Sequence, residues 1–324
     1  MKNLLIIDTF GLIFRAYYAL PHLTSSDGTP TGAVYGFLQM LLSVIQKHDP
    51  EYIVCSLEST TPTFRHELNI DYKANRKETE PELKIQIEII IDIINQLNIK
   101  TLQKDGFEAD DVIGTFANKN QDIFDRIDIL TGDRDLLQLV NQKIVVMMPG
   151  RPFNNITIFD EKVFEEKFGF SVDRYVLYKA LVGDSSDNIK GIPGIGSKTA
   201  TEIVKKFEDI NSLLANLDEL PIRIALSIQE NQSTLRQSFE LAKIRFDVDL
   251  DLDIEFCKLS TMRVHKLRDF ITKFEFRSLA NKINKFVDWF EAKYSSILWE
   301  ESTEKYNLFY NITSDVEYEN LNNV

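Results

Sequence analysis

The sequence predicts an α/β fold, a mostly parallel twisted sheet flanked by helices, with a C-terminal helical subdomain. Three observations predict it. First, Leu4–Ile7, Ile53–Leu57 and Ile127–Thr131 are largely continuous apolar runs, as expected of strands buried on both faces. Second, segments of helical spacing separate them, at Ala33–Gln46, Leu83–Leu97 and Asp110–Asn118; such alternation marks parallel strands joined by helical crossovers. Third, each run ends at a carboxylate: Asp8, Glu58, and the pair Asp133 and Asp135. Ligands of parallel sheets gather at those strand ends.

The bulk properties agree. A chain of 324 residues with 44% apolar and 27% charged residues can bury a sizeable core in one large or two ordinary domains. No apolar run reaches the roughly 18 residues that span a bilayer, and the opening Met1–Ile7 is too short for a signal peptide. Cys55 and Cys257 are the only cysteines and suggest no disulfide framework, so a reducing cytoplasm is the expected setting. The net charge of −13 argues against indiscriminate nucleic-acid binding. It leaves room for a nuclease, because metal-binding acids add to the negative count.

Between the second strand and the next helix, Thr60–Glu82 breaks the pattern, with Pro62, Pro81 and no sustained apolar period. It interleaves Phe64, Arg65, His66, Tyr72, Lys73, Arg76 and Lys77, a mixture suited to a phosphate backbone and stacked bases. A solvated loop is the plainer reading. Ile144–Met147 reads as a strand, Arg151–Ile158 as a hairpin-like return, and Asp160 or Glu161 as the opening of a helix. Val172–Leu181 is helical and runs into Gly183-Asp-Ser-Ser-Asp-Asn188, where Asp184 and Asp187 are one turn apart. Then comes Gly191-Ile-Pro-Gly194-Ile-Gly196-Ser-Lys198-Thr199, followed by an amphipathic helix to Phe207. Two helices joined by a glycine hairpin make a helix-hairpin-helix, whose backbone N–H groups can approach a phosphate.

The pattern from Asn211 to Lys293 is helical, with an extended interlude at Val248–Leu252. Near the end, Asn307–Ile312 reads as a strand and Thr313–Asp315 as a helix cap before Val316, Tyr318 and Leu321. The organisation expected is a core over residues 1–175 with a basic arch at about 60–82. A helical region follows over 176–293, with the hairpin motif at 176–207, and then a tail over 294–324.

The acids carry the chemistry. Glu108, Asp110 and Asp111 fall within four positions at a helix start, where acids suit the positive end of the helix dipole. With Asp8, Glu58, Asp133, Asp135, Asp184 and Asp187 they could form one crowd. Two like charges about 4 Å apart repel by about 4 kcal/mol at an effective dielectric near 20, so convergence demands cations or protons. None of the four histidines (His22, His48, His66, His265) falls in an acidic cluster. An all-oxygen set favours Mg2+ or Mn2+ over zinc, and two such ions can serve phosphodiester hydrolysis. Lys73 and Arg76 could steady the charge on the phosphate.

These motifs, together with Arg15-Ala-Tyr17, Thr31–Gly36, Phe64–Glu67, Tyr72–Arg76 and Thr131–Asp135, resemble the 5′-nuclease (flap endonuclease-like, PIN-related) family, over about residues 3–290. The nearest likeness is to the N-terminal 5′→3′ exonuclease domains of bacterial DNA polymerases of type I. The tail resembles the opening of the proofreading-like domain that follows there. The resemblance implies hydrolysis of phosphodiesters near 5′ ends and at 5′ flaps, in DNA replication and repair. It implies that Asp8, Glu58, Glu108, Asp110, Asp111, Asp133, Asp135, Asp184 and Asp187 hold or tune two or more divalent ions. Tyr72, Lys73 and Arg76 would meet the substrate. Arg15, Arg65, Gly191, Gly194, Gly196, Lys198 and Thr199 would contact DNA without reading sequence, with K+ at the glycine hairpin in many relatives. A monomer is expected.

Two departures stand out. The family usually has Phe-Asp where this chain has Leu57-Glu58, and often proline at Lys190. A methylene of extra reach matters, because misplacing a reacting group by about 1 Å can cost roughly a hundredfold in rate. That leaves a second reading, a catalytically weakened module that holds branched DNA. A third, a phosphatase-like α/β domain, needs neither arch nor glycine hairpin.

Overall fold

The computed structural model describes residues 2–153 and 155–295. One sheet of six strands organises it: β1 (Asn3–Asp8), β2 (Tyr52–Ser56), β3 (Lys100–Leu102), β4 (Arg126–Leu130), β5 (Ile144–Pro149) and β6 (Ile156–Phe159), in the order β3-β2-β1-β4-β5-β6. Every pairing is parallel except β5 with β6. The strand order reverses between β1 and β4, the kind of point at which open α/β sheets bind ligands beyond their strand ends. Leu4–Ile7 of β1 are fully buried, as the central strand of a sheet covered on both faces requires.

The helices are α1 (Thr9–Ala19), α2 (Gly32–His48), α3 (Phe64–Leu68), α4 (Pro81–Gln96), α5 (Ala109–Asn120), α6 (Glu161–Phe168), α7 (Tyr175–Val182), α8 (Ser197–Lys206), α9 (Ile210–Ala215), α10 (Ile222–Glu230), α11 (Gln232–Ala242) and α12 (Lys266–Lys273). Helix also covers 277–295. Local chemistry sets several ends. Pro81 opens α4, where its missing N–H costs nothing. Asp160 caps α6 by accepting from Val163 N, and Gly169 ends it in the left-handed region.

Two elements escaped the sequence pattern. Helix α1 starts directly from the strand end, capped by Asp8 itself, so no turn residues announce it. Strand β3 is three residues long and only Leu102 is buried. Within the predicted break at Thr60–Glu82, the five residues of α3 and the first two of α4 are helical.

The chain forms two compact units, one to Leu259 and one from Ser260. Within the first, one apolar cluster runs from Leu4 and Ile6 through Phe164, Leu177 and Ile203 to Leu235 and Val248, beside a smaller one of Tyr72, Ile189, Leu241 and Ala242. The expected boundary near residue 175 therefore does not interrupt the packing. The expected strand and helix at Asn307–Leu321 lie outside the described residues. Among the described residues no helix is long and apolar enough to cross a membrane.

Candidate active site

Asp8 ends β1 with its carboxylate fixed from two sides. It accepts from Gly11 N at 3.0 Å and from Thr131 Oγ1 at 2.5 Å. A Cβ at Gly11 would stand 2.0 Å from Asp8 Oδ2, and one at Gly132 would stand 2.5 Å from the Gly11 carbonyl oxygen. Bare backbone at both positions lets the loop after β4 lie against the turn after β1. Asp133, one residue further on, then adds its charge to that of Asp8.

Helix α5 supplies the next acids. Its capping arrangement ties Glu108 N to Asp111 Oδ2 at 3.2 Å. Asp110 sits among Asp133, Asp8, Asp135 and Glu58; burial first, then those charges, raise its pKa well above the ordinary carboxylate range. Burial lifts Asp8 to about 6 and Glu58 to about 7, against the pull of hydrogen bonds on Asp8 and of Lys73 on Glu58. Glu58 reaches the head of α5, where Ala109 N donates to Oε2 at 3.3 Å. The longer arm thus still arrives at the crowd. Asp135, raised to about 6 by burial and Asp133, completes the group from the loop after β4.

The remaining acids have cations of the chain's own. Lys73 Nζ lies 2.7 Å from Glu108 Oε1 and 3.8 Å from Asp187 Oδ2, and Arg76 Nη2 lies 2.5 Å from Asp187 Oδ1. Tyr72 is buried, with its hydroxyl donating toward Glu108 at 3.1 Å and Asp187 at 3.3 Å. Two further bonds dock this basic turn on the 183–188 loop. Lys73 N donates to the Asp187 carbonyl at 3.0 Å, and Asn188 Nδ2 to the Asp71 carbonyl at 2.6 Å.

Four of the expected site residues are engaged within the chain. Asp111 is fully buried and Arg65 nearly so, in a two-pronged pair at 2.6 and 2.9 Å. Arg65 also donates to the carbonyls of Leu241 and Lys243, and Arg245 N donates to Asp111. Both side chains are thus bonded within the chain and shielded from solvent. Tyr72 turns inward to the acids rather than outward to substrate. Gly191 packs on the chain itself, since a Cβ there would lie 2.2 Å from the Val182 carbonyl oxygen.

The hairpin keeps its open face. Gly194 has a φ of +79°, and a Cβ at Gly194 or Gly196 would meet nothing within 4 Å. Ser197 and Lys198 are exposed at the start of α8 with Thr199 half-buried, above the buried Ile195 and Ala200. Arg15 is half-buried with no partner for its Nε, and burial and Arg151 lower its pKa.

Sequence reasoning missed Lys179, whose ammonium lies 2.6 Å from Asp135 and 2.5 Å from Asp184. Its signal was present: Lys179 is the only charged residue of α7, Tyr-Val-Leu-Tyr-Lys-Ala-Leu-Val, and a lone charge in an apolar helix wants a partner.

Among the described residues no three acids close around one point as ligands of an ion. The lysines and arginines draw Glu108, Asp135, Asp184 and Asp187 toward themselves. The oxygens left without a cation, on Asp8, Glu58, Asp110 and Asp133, are a donor set that fits a hard divalent ion and offers no nitrogen or sulfur to a softer one.

Known proteins share this architecture. Residues 3–169 match the family model described as 5′-3′ exonuclease, N-terminal resolvase-like domain, and residues 170–265 match 5′-3′ exonuclease, C-terminal SAM fold. A 5′-3′ exonuclease of Aquifex aeolicus is 36% identical over 285 residues, 88% of this chain and 96% of that protein. Thermostable DNA polymerase I of Thermus filiformis is 36% identical over 282 residues, which is 87% of this chain but 33% of the polymerase. The T5 D15 protein co-crystallised with metal ions has the same fold, with a TM-score of 0.63 at 17% identity over 88% of this chain and 100% of that one. Human GEN1 in complex with Holliday junction DNA gives a TM-score of 0.56 at 14% identity, over 88% and 71% of the two chains. By its matching models and its relatives across nearly nine-tenths of its length, the chain belongs to the 5′-3′ exonuclease family.

Proposed function

We propose that this member of the family hydrolyses DNA phosphodiesters near 5′ ends and at the bases of 5′ flaps, using Mg2+ or Mn2+ held chiefly by Asp8, Glu58, Asp110 and Asp133. One observation carries the reading. Asp110 stands among Asp8, Glu58, Asp133 and Asp135 at the strand ends, a gathering whose repulsion at neutral pH divalent cations would relieve. Ions bound there would lower the pKa of an attacking water and offset charge on the leaving oxygen.

The chain's own residues do the rest. Lys73 and Arg76 rest on Glu108 and Asp187 at the rim of the acids, on a turn whose Ala74–Lys77 are exposed. A phosphate arriving there competes with the carboxylates for the same two cations, and they steady the charge that grows as its bond breaks. Tyr72 positions Glu108 and Asp187 from below. Arg15, which has no ion pair among the described residues, suits a neighbouring phosphate. The open backbone at Gly194–Gly196, with Ser197, Lys198 and Thr199, suits the backbone of the duplex, and a K+ ion could share that hairpin. Such contacts read phosphates and not bases, so the cutting is independent of sequence. The protein acts as a monomer in the cytoplasm.

Glu58 is the motive for a weakened, purely DNA-binding module, and its reach to the head of α5 speaks against that reading. A labelled 5′-flap duplex incubated with Mg2+, Mn2+ or EDTA tests the proposal. Release of the flap in either metal and none in EDTA is the expected result. Retention of the flap on the protein without cutting in both metals would restore the module.

A further inference from the structure

The chain is acidic overall, with a net charge of −13, yet its second compact unit runs the other way. Residues 260–295 hold eight lysines and arginines against four acids. Three of those acids are answered within the unit. Lys266 lies 3.3 Å from Asp269, and Arg268 reaches Asp288 at 2.8 Å and Glu291 at 3.6 Å. Four of the cations, Arg277, Lys282, Lys285 and Lys293, stand on the helix over 277–295.

That helix sorts its side chains by face. At about 3.6 residues per turn, positions 282, 285, 289 and 293 share one flank. Lys282, Lys285, Trp289 and Lys293 occupy it. Ile283, Phe286, Val287 and Phe290 form the buried face beside it. Asp288 and Glu291 turn away from the flank to Arg268. Lys285 and Lys293 are exposed, and Lys282 and Trp289 are half-buried. The Lys293 ammonium lies 5.7 Å from the centre of the Trp289 ring, and burial lowers the pKa of Lys282. From Lys282 to Lys293 the helix rises about 16 Å, the length of about five phosphates along one strand of a duplex. Like charges held along such a line repel one another, and a polyanion relieves them.

We infer that the Lys282–Lys285–Trp289–Lys293 flank is a further contact surface for the phosphate backbone of duplex DNA, in addition to the glycine hairpin. It lies beyond residue 265, where the matching family models end. The inference rests on the reading of the protein as a DNA nuclease. An anionic membrane fits the flank less well, because the large apolar residues of this helix other than Trp289 are buried and leave no apolar face to enter a bilayer.

Duplex binding by the full chain, followed against salt in EDTA so that nothing is cut, tests it. Lys285→Gln with Lys293→Gln should lower the slope of log affinity against log salt by about two, at about 0.9 per phosphate. Lys285→Arg with Lys293→Arg should keep the parental slope. Lys162→Gln with Lys167→Gln removes the same charge from α6 and should also keep it. Trp289 gives a second readout that needs no lysine variant. In Trp299→Phe it is the sole tryptophan. There duplex DNA should shield its fluorescence from acrylamide, and phosphatidylserine vesicles should not. A parental slope in the glutamine pair overturns the surface, and so does a Trp289 equally open to acrylamide with and without duplex. Shielding by vesicles and not by DNA overturns it in favour of a membrane. In each of these cases a parent that still cuts 5′ flaps in Mg2+ leaves the nuclease reading standing. A parent that neither binds duplex nor cuts flaps takes both down.

Discussion

The acids at the strand ends fall into two halves that solve one electrostatic problem in opposite ways. Asp111, Glu108, Asp187, Asp135 and Asp184 are each paired within the chain, to Arg65, Lys73, Arg76 or Lys179. Asp8, Glu58, Asp110 and Asp133 have no ion pair among the described residues; their partners are hydroxyl or backbone N–H groups, such as Thr131, Gly11 and Ala109. The difference separates structure from chemistry. A pair such as Asp111 and Arg65 is part of the fold whatever the solution holds. An unpaired crowd is an open valence for a cation, and its cost is carried by the fold until the cation arrives.

Breaking the buried Arg65–Asp111 pair of the first half should unfold the protein more than it impairs the chemistry. Arg65→Met strands the buried Asp111 carboxylate and two carbonyls, and should cost about 3–5 kcal/mol, read as a lowered urea midpoint. A midpoint unchanged from the parent would erase the distinction between the halves. Breaking the unpaired half should do the reverse. Asp110→Ala should slow flap cutting by about 10²–10³-fold at saturating Mg2+. It should leave metal-free stability equal or higher, because it removes the carboxylate most crowded by its neighbours.

The unpaired half also sets a pH dependence. Asp8 moves from 3.8 to about 6 and Glu58 from 4.5 to about 7 on folding, so the folded chain binds these protons more tightly than the unfolded one. Their stabilising contribution is complete below about pH 4 and disappears as pH rises through 6 and 7, by roughly 3 kcal/mol for Asp8. Asp184 runs the other way, lowered to about 2, but its window closes below pH 4. In EDTA the melting temperature should therefore fall between pH 5 and 8. Mg2+ should recover it at pH 8 and do little at pH 5. A fall of the same size in Asp8→Asn would show that Asp8 is not its source.

How much of this was legible depends on what each residue needs. Strand ends and helix starts are local, so Asp8, Glu58, Glu108, Asp110 and Asp133 could be found in the sequence as acids closing or opening elements. Which acid receives a cation from elsewhere is not local. Asp110 and Asp111 are neighbours on one helix, yet Asp111 faces Arg65 and the end of α11 while Asp110 faces the strand ends. No periodicity in nine residues tells those faces apart when both are acidic. Helix α1 was hidden for a similar reason, because its cap is also a candidate metal ligand.

A smaller effect probes the reach of the unpaired half. Glu58→Asp restores the family's usual residue and withdraws the carboxylate by one methylene from Ala109 N. If the neighbouring backbone has settled around the longer arm, kcat should fall by about tenfold, within the hundredfold that a full 1 Å error can cost. A rise in kcat on Glu58→Asp would mean instead that the longer arm is a handicap the chain tolerates.

The smallest expected change lies farthest from the acids. Lys198 is exposed one residue into α8, beside the bare backbone of Gly194 and Gly196. A lysine there can neutralise one phosphate of a duplex, and each neutralised phosphate contributes about 0.9 to the slope of log affinity against log salt. Lys198→Ala should thus lower that slope by about one, weaken binding evenly across duplex sequences, and leave the cutting rate of bound DNA near the parental value. It should not alter the metal-free melting temperature, since the side chain makes no ion pair among the described residues. An unchanged salt slope would move the duplex off the glycine hairpin. The binding surface would then have to be sought nearer Arg15, on the side of the sheet where the unpaired acids lie.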